Sequence, residues 1–434
     1  MRLTDNAIRY TISHLLRVAF PHSTPDIRIE GEKAVAQVEG VDVQFFIMDE
    51  KTADTLTAVT LSLPSVTLPF GVQVPLYQQP NADQPYRCEG NALMLCCDLV
   101  TLPFLLLSRW EEYQEGNARD VHGRFCYAGS LNERYGCIDL PVADLYGLLL
   151  RSWVVAAHPD VHVQPRTPRC ISTHDVDLIQ RFGGWLQNVR TLGADLIKHH
   201  SIKLFRQSFR QCRAARKDRN TDPLLQACLR LRLYDKERQH DSLFFIKAQQ
   251  KGEHDCGYDI RSAEAAFLVG KLRDMGAGIG LHGGLHAAYD ARLLATEKQR
   301  LEEVMGGTIT AGRQHYLRFH PLQTQRAWQH CGLTDDYTLG FAEREGFRCG
   351  TCHPYPLYDL VNDCATTVVE HPLIAMDMTF IAYRKMQPGA ALDSIQRLRH
   401  TCEQAEGDFV LLWHNTTVGR DSEQWFQQVF CNIE

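Results

Sequence analysis

The sequence lacks the features that mark several protein classes. No stretch approaches the ~20 consecutive apolar residues of a membrane-spanning helix, and we find neither an internal repeat nor a low-complexity segment. The 15 cysteines are odd in number and scattered along 434 residues, unlike the even-numbered framework of a small disulfide-rich domain. The formal net charge of −6 is opposite in sign to that of a general nucleic-acid-binding protein. We therefore expect a globular protein with reduced thiols and no nucleic-acid partner.

The first 20 residues also lack the pattern of a secretory signal peptide, because charges interrupt them and small residues follow no apolar run. Apolar residues instead recur there at helical spacing, at Ile8, Ile12, Leu15, Leu16 and Phe20. This predicts an amphipathic helix packed on its own domain, with an anchor on a membrane surface as the alternative. We expect a cytoplasmic protein without stable membrane insertion. The sequence leaves its oligomeric state open.

The chain is long enough for two domains. Residues 1–165 combine predicted strands, rich in Val, Ile and Thr, with predicted helices at 98–113 and 142–155. The three prolines of residues 158–170 predict a connection. We therefore predict a smaller N-terminal α+β domain at 1–165 and a second domain at 166–434.

The second domain alternates short apolar runs with helical stretches, of which 262–275 and 292–305 are the clearest. The predicted strands are Cys170–Thr173, Leu243–Ile246, Ile279–Leu281, Phe347–Gly350, Val368–Val369 and Phe409–Trp413. This alternation is typical of βα units around a parallel sheet. In barrels of this kind the chemistry lies where strands end and loops begin.

Residues 184–240 do not fit this alternation, because they are helical and basic throughout. We interpret them as an insertion between the first and second strands. Their cations could meet a phosphate-bearing ligand, such as a nucleotide-linked or lipid-linked sugar, or could simply face solvent. The basic residues are Lys198, Lys203, Arg206, Arg210, Arg213, Arg216, Lys217 and Arg219.

Two polar clusters follow predicted strands in the second domain. Asp175 and Asp177 end the first, and two carboxylates so close are unfavourable unless a positive charge compensates them. His282 and His286 follow a later strand at a spacing that allows both to reach one ion. Each cluster alone could be an ordinary turn or a pair of unrelated loop histidines. Together, Asp177, His282 and His286 supply the three protein ligands of a catalytic Zn²⁺ site and leave Asp175 free as a base.

A third cluster ends the last predicted strand, where Trp413 precedes His414. A histidine at a strand end opposite a metal could be a general acid. By itself, a hydrogen-bonded structural histidine is the simpler interpretation of His414.

With these clusters in place, residues 168–420 resemble the NodB-homology polysaccharide deacetylases. The closest likeness is to a divergent bacterial branch whose first motif is Thr-His-Asp-Val-Asp, here residues 173–177. The segments FLLLSRWEEY (104–113) and DVHGRF (120–125) resemble the domain that precedes the deacetylase in that branch. The resemblance implies an α/β fold, a distorted (β/α) barrel preceded by a smaller α+β domain. It also implies removal of an acetyl group from an N-acetylated sugar or glycan precursor.

The resemblance also implies residue roles. Asp175 matches the general base and His414 the general acid, while Asp177, His282 and His286 match the ligands of Zn²⁺ or another divalent metal. The remaining matches concern residues that position these groups. Arg313 matches the arginine that holds the base, with Arg318 as a competitor, and Asp377 loosely matches the acid that orients the final histidine.

Some positions depart from the family pattern. His315 stands where the family usually has proline, and the segment between His282 and His286 lacks the usual serine or threonine. These departures affect substrate contacts more than the metal site. The residues we consider for substrate contact are His315, Tyr316, Asp255, Tyr258, His353 and Trp413.

The sequence Cys349-Gly350-Thr351-Cys352-His353 has the spacing of a haem attachment site. Haem attachment needs an exported protein, and we find no export signal. We therefore expect these residues at the pocket rim, with a redox or zinc-binding cysteine pair as the alternative. The expected function is thus zinc-dependent deacetylation of an amino sugar. Two alternatives remain, which are hydrolysis of a non-sugar amide by the same site and a catalytically inactive glycan-binding protein.

Overall fold

Two large β-sheets and their surrounding helices make up the protein in this computed structural model. The structure describes residues 2–30, 33–58, 63, 65–68, 71–80, 82–114, 119–197, 200–249, 257–419 and 422–433. Among these residues, no helix combines the length and the apolar content needed to cross a membrane. Each of the fourteen cysteines in this part of the chain is a free thiol.

The first sheet lies in the N-terminal part and is mostly antiparallel. Five of its strands run in the order β1-β2-β3-β8-β6, and β7 also pairs with β8. Strands β4 and β5 form a separate pair. β3 and β8 are parallel, and the other pairs are antiparallel. The strands are β1 (Asp26–Glu30), β2 (Lys33–Val38), β3 (Val41–Phe46), β4 (Ser65–Thr67), β5 (Gln73–Pro75), β6 (Tyr77–Gln78), β7 (Tyr86–Glu89) and β8 (Ala92–Asp98).

The helices of this part are α1 (Asp5–Ala19), α2 (Glu50–Ala58), α3 (Thr101–Leu107), α4 (Trp110–Tyr113), α5 (Leu131–Arg134) and α6 (Val142–Ala157). Helix α1 begins after Thr4, whose side chain accepts a hydrogen bond from the Ala7 N–H. Its apolar face, with Ile12 and Leu15, is fully buried in the core of the N-terminal part, as expected of an amphipathic helix that packs on the protein. That burial leaves no apolar face of α1 for a membrane surface.

The predicted helix at 98–113 is divided into α3 and α4. Arg109 separates them in the left-handed conformation, with φ of 55°. This conformation is uncommon outside glycine, and here it directs a buried guanidinium towards Glu111 and Glu112, 3.0 and 2.7 Å away. Glu112 also binds Arg348 of the second sheet region at 2.7 Å. A buried, charge-assisted network therefore joins the two parts of the chain.

The second sheet has nine strands in the order β14-β15-β13-β12-β11-β10-β9-β17-β16 and curls into a half-barrel. All neighbours are parallel except β14 and β15. The protein is thus a mixed α/β fold with a curled parallel sheet. The strands are β9 (Arg169–Val176), β10 (Asp241–Lys247), β11 (Gly278–Gly283), β12 (Ala311–Gln314), β13 (Asp335–Asp336), β14 (Tyr355–Asp359), β15 (Cys364–Glu370), β16 (Ala375–Met376) and β17 (Asp408–Leu412).

Helices connect these strands and cover the sheet. They are α7 (Trp185–Ile197), α8 (Ile202–Lys217), α9 (Pro223–Glu237), α10 (Ala263–Asp274), α11 (Ala291–Met305), α12 (Gln323–Cys331), α13 (Pro388–Gln404) and α14 (Glu423–Gln428). As the capping pattern predicts, Ser262 accepts from the Ala265 N–H at the start of α10, and Gly306 ends α11 with φ of 68°. The predicted insertion at 184–240 contains α7, α8 and α9, between β9 and β10.

Two predictions of secondary structure are wrong. Residues 347–350 form turns rather than a strand. Phe347 and Cys349 are buried as a strand's apolar residues would be, but their backbone pairs with no neighbouring strand. One of the Val- and Thr-rich segments of the N-terminal part that we predicted as strands, residues 56–66, begins as the end of α2 at Leu56–Ala58, and its residues 59–62 lie outside the described part. The predicted domain boundary near residue 165 falls in a segment without regular structure, 158–168.

Candidate active site

Four neighbouring parallel strands bring polar side chains to one edge of the second sheet. In the register of the sheet, Phe245 of β10 lies beside Asp175 of β9, and Lys247 of β10 lies beside His282 of β11. His282 in turn lies beside Arg313 of β12. Because the carboxyl ends of parallel strands meet at one edge, these residues form a row at the position where sites occur in open α/β sheets.

Asp175 is a buried carboxylate held by a buried arginine. Arg313 donates from Nη1 to Asp175 Oδ1 at 3.0 Å and from Nε to the Tyr337 carbonyl at 2.8 Å. Burial alone would raise the pKa of Asp175, but nearby His282, Arg313 and His414 lower it below its ordinary value. Asp175 is therefore ionised at neutral pH and has a fixed orientation, as a general base requires.

His414 faces Asp175 from the neighbouring strand end of β17. Its Nε2 lies 3.9 Å from Asp175 Oδ2, and its Nδ1 lies 2.7 Å from Asp377 Oδ1. Burial lowers the pKa of His414, but the charge and hydrogen bond of Asp377 outweigh that effect and raise it to about 9. Asp377 also accepts from the His414 N–H and the Thr417 hydroxyl, which fixes its own orientation. His414 is therefore protonated at neutral pH in this arrangement.

Asp177, His282 and His315 place one ligand atom each within 4.8 Å of one another. The buried Nε2 of His282 has no hydrogen-bond partner among the described residues and lies 3.6 Å from Asp177 Oδ1. The Nδ1 of the same ring donates to the Arg313 carbonyl at 3.1 Å, the kind of outer contact that orients metal-ligating histidines. One carboxylate and two imidazoles, with one imidazole aimed at the carboxylate, fit a divalent ion such as Zn²⁺.

Lys247 brings a positive charge to the same group. Its buried Nζ lies 2.9 Å from Asp177 Oδ1 and 3.1 Å from His315 Nε2. Burial would raise the pKa of Asp177, but the nearby His282 ring and the charge of Lys247 hold it well below its ordinary value. The ammonium thus compensates the carboxylate charge, and a divalent ion at this group would compete with it.

His286 is exposed to solvent and is not part of this group. Two side chains four residues apart lie together when the backbone is helical. Here β11 ends at Gly283 and a turn follows, so His286 does not lie beside His282. The two glycines at this end serve close packing rather than a special backbone conformation, since a Cβ at Gly283 would collide with Gln314 and one at Gly284 with Gln249. In this structure the third side chain beside Asp177 and His282 is that of His315, which we expected to contact substrate, and not that of His286.

The pocket above these residues has a volume of about 230 Å³. Most of its wall comes from the second sheet and the loops after it. Arg124 is the contribution of the N-terminal part, where it donates to the Tyr316 carbonyl at 3.3 Å and to the Tyr383 hydroxyl at 3.0 Å. The lining residues are Arg124, Asp175, Asp177, His315, Tyr316, Leu317, Met376, Met378, Tyr383, Leu412, His414 and Thr416.

Tyr316 is one of these lining residues and had been a candidate for substrate contact. It is 38% exposed and adopts the left-handed conformation, with φ of 62°. Its ring stacks on His122 of the N-terminal part, with centroids 4.6 Å apart. The DVHGRF segment, residues 120–125, therefore lies directly against the pocket rim.

Three other candidates for substrate contact lie outside the pocket. Tyr258 is buried, and its hydroxyl joins β9 to β10 by donating to the Val176 carbonyl at 3.0 Å. His353 is buried, with Nε2 2.8 Å from the Ala405 carbonyl. Trp413 is fully buried against Phe430, because successive side chains at a strand end point to opposite sides and His414 takes the pocket side.

Asp255 and Arg318 are the remaining residues that the sequence singled out. Asp255 lies outside the described residues. Arg318, the competitor of Arg313, packs over the Tyr289 ring with 4.5 Å to its centroid and donates to the Leu285 carbonyl. Arg313 is thus the arginine in contact with Asp175.

Sequence reasoning missed Lys247 and Arg124. Lys247 ends the otherwise apolar run LFFIK of β10, and a charged residue that ends a buried strand is a pattern that could have indicated it. Arg124 belongs to the quoted DVHGRF segment, but nothing in the sequence indicates that this segment folds back onto a pocket more than 50 residues away.

Comparisons with known proteins give one family match and several similar solved structures. Residues 4–159 match a family of unknown function, DUF7033, which covers less than half of the chain. No curated protein has a matching sequence. A solved structure from Mycobacterium smegmatis, assigned as a polysaccharide deacetylase, is 17% identical and covers 63% of this chain and 87% of its own, with a TM-score of 0.39.

Two further solved structures are mutants of BA3943, a CE4 family pseudoenzyme. One of them has restored enzymatic activity. Each is 10% identical and covers 61% of this chain and 62% of its own, with TM-scores of 0.31 and 0.30. Because these scores are low, the fold assignment rests on the observed strand order alone.

Proposed function

We propose that this protein is a metal-dependent hydrolase that removes the acetyl group from an N-acetylated sugar or glycan precursor. The observation that carries the proposal is the pairing of an ionised base with a protonated acid in one pocket. Asp175 is held by Arg313, and His414, held by Asp377, lies 3.9 Å from it. The resemblance of residues 168–420 to NodB-homology deacetylases supplies the substrate class and is independent of this geometry.

The acid and the base have complementary protonation states. Asp175, ionised, accepts a proton from the attacking water, whose oxygen forms the new bond to the acetyl carbon. His414, protonated on the nitrogen that faces the pocket, donates to the sugar nitrogen as the C–N bond breaks. The products are acetate and a free amine. Arg313 and Asp377 are positioning residues, because each acts through the group that it holds.

The metal would be held by Asp177, His282 and His315. When bound, a divalent ion supplies Lewis-acid activation of water and of the substrate carbonyl. The chain's own residues contribute the orientation of His282 through the Arg313 carbonyl and the charge of Asp177. A cavity of about 230 Å³ is below the ~300–1,000 Å³ typical of ligand pockets, which favours entry of one small unit rather than a chain segment.

Release of acetate from a panel of N-acetylated sugars tests the proposal. The panel includes free and carrier-linked N-acetylated sugars and O-acetylated sugars. Ring opening of a cyclic ureide, which releases no acetate, is followed separately and represents the non-sugar amides. We expect acetate from an N-acetyl sugar with Zn²⁺-loaded wild type and at least a ~10²-fold loss of rate in Asp175→Asn. Cleavage of a non-sugar amide alone would support amide hydrolysis by this site but would overturn the proposed sugar substrate.

Lys247 favours a second candidate, a glycan-binding protein without catalysis. An ammonium 2.9 Å from Asp177 already neutralises the carboxylate, so the pocket is electrostatically complete without a divalent ion. Such a protein would bind an N-acetyl sugar equally well with and without added metal, and it would release no acetate. Calorimetric titration of the sugar into metal-free and Zn²⁺-loaded protein separates the two functions.

A further inference from the structure

The hairpin of α7 and α8 exposes apolar side chains to solvent. In α7, Trp185 and Ile197 are 68% and 78% exposed, and Leu186, Val189 and Leu196 are exposed as well. At 100° per residue these five side chains fall within a sector of about 120° on the helix. They form a continuous apolar stripe, whereas scattered single apolar residues are ordinary on a protein surface.

Helix α8 also has an exposed face, which is mixed apolar and basic. Ile202 is 65% exposed, and Phe209, seven residues or about two helical turns later, is exposed on the same face. Arg206, Arg213 and Lys217 are exposed on the same side, because they follow at spacings of four, eleven and fifteen from Ile202. The opposite face, with Ser208, Cys212 and Ala215, is buried. The helix is therefore anchored by one face and presents the other.

The charge of the hairpin is opposite to that of the rest of the protein. Residues 185–219 contain nine Lys and Arg residues and two Asp residues, a formal charge of +7. The whole chain carries −6, so the remaining residues carry −13. The surface that exposes the apolar stripe is thus the one part of the chain with a strong positive charge in its sequence.

We propose that the α7–α8 hairpin docks this protein on an anionic lipid surface. Amphipathic helices that lie in the interface of a membrane combine Trp, Phe and other apolar residues on one side with Lys and Arg beside them. Each Lys or Arg near an anionic surface adds attraction, about fivefold in binding. Two copies of the hairpin facing each other would bring together two charges of +7, which disfavours self-association through this face.

Helix α8 lies near the catalytic pocket, with a cavity between them. A cavity of about 510 Å³ lies between α8 and the loop after β17, with Gln207, Gln211 and Thr416 among its lining residues. Thr416 also lines the pocket of Asp175 and His414. The hairpin therefore lies close to the pocket.

Co-sedimentation of the full chain with lipid vesicles tests the inference. The vesicles are phosphatidylcholine alone and phosphatidylcholine mixed with phosphatidylglycerol. We expect binding to the mixed vesicles that weakens as salt is raised, because the attraction is screened. The double variant Arg206→Glu/Arg213→Glu should bind at least about tenfold more weakly. Trp185→Ser/Ile197→Ser should also lose binding, because it removes the apolar contribution.

Matched variants elsewhere on the surface provide the controls. Arg28→Glu/Arg87→Glu makes the same change of charge at two exposed arginines in weak surface ion pairs, and Val361→Ser removes an apolar side chain that is 51% exposed. Both should bind vesicles as the wild type does. Thermal unfolding of every variant confirms that it is folded.

Three results would overturn the inference. The first is no binding to mixed vesicles. The second is an equal loss of binding in Arg28→Glu/Arg87→Glu and in Arg206→Glu/Arg213→Glu, which would show that net charge alone matters. The third is self-association that Trp185→Ser/Ile197→Ser abolishes, measured by light scattering without lipid, with no vesicle binding. That result would assign the stripe to a second copy of the chain.

Discussion

Replacing Asp377 by Asn should lower the pKa of His414 by at least about one pH unit. The wild-type value of about 9, against 6.5 for an ordinary histidine, corresponds to ~3 kcal/mol in favour of the protonated ring. Asp377 is the largest of the groups that raise it, ahead of the more distant Asp177 and Asp175. We therefore expect loss of the Asp377 charge to remove at least ~1.4 kcal/mol of that preference.

Titration of the histidine ring nitrogens by NMR measures this value in the metal-free protein and needs no substrate. The spectrum of His414→Gln assigns the resonance. The matched control is Asp335→Asn, which removes the carboxylate 3.0 Å from the His371 ring outside the pocket. A wild-type His414 that titrates near 6.5, or an unchanged value in Asp377→Asn, would refute the reasoning.

The same shift links protonation to stability. Because the folded-state pKa of His414 is raised, its contribution to the free energy of unfolding is fully present below pH 6.5 and is lost as pH rises through about 9. Urea unfolding of metal-free wild type should therefore show a larger decrease between pH 6.5 and 9 than that of Asp377→Asn. Equal decreases would contradict this linkage.

Two further substitutions test the charges around the site. Lys247→Met should tighten Zn²⁺ binding about tenfold or more in calorimetric titration, because it removes the ammonium that competes for Asp177; weaker binding would show that the lysine supports the metal. Arg313→Met should lower the free energy of unfolding on the order of 3 kcal/mol, measured in urea, because it leaves Asp175 buried without its cation. A change below about 1 kcal/mol would mean that the carboxylate does not depend on this pair.

Much of the site could be predicted because strand ends are readable in the sequence. Short apolar runs ending in Asp175, His282 and His414 gave the positions of three strands, and parallel strands bring their carboxyl ends together. The pairing of Asp377 with His414 was harder to predict, because β16 has only two residues and gives no periodic pattern. The prediction that Asp377 orients His414 depended on a loose resemblance to the deacetylase family.

The remainder depends on contacts that no local pattern encodes. Whether His286 or His315 lies beside Asp177 and His282 depends on where the chain turns after β11 and β12. The role of the N-terminal part was left open by the sequence, whereas the structure places Arg124 in the pocket wall. Trp413 and His353 looked like pocket residues because they neighbour polar clusters, but side-chain alternation and helix packing bury them.

The central claim is that Asp177, His282 and His315 form the metal site. Zinc content by plasma mass spectrometry, measured on wild type and on His282→Ala, His315→Ala and His286→Ala after equilibration with Zn²⁺, tests it most directly. We predict nearly one zinc per chain in wild type and in His286→Ala, and a loss of zinc in the other two variants. Zinc lost from His286→Ala but retained by His315→Ala, or no zinc in the wild type, would contradict the claim.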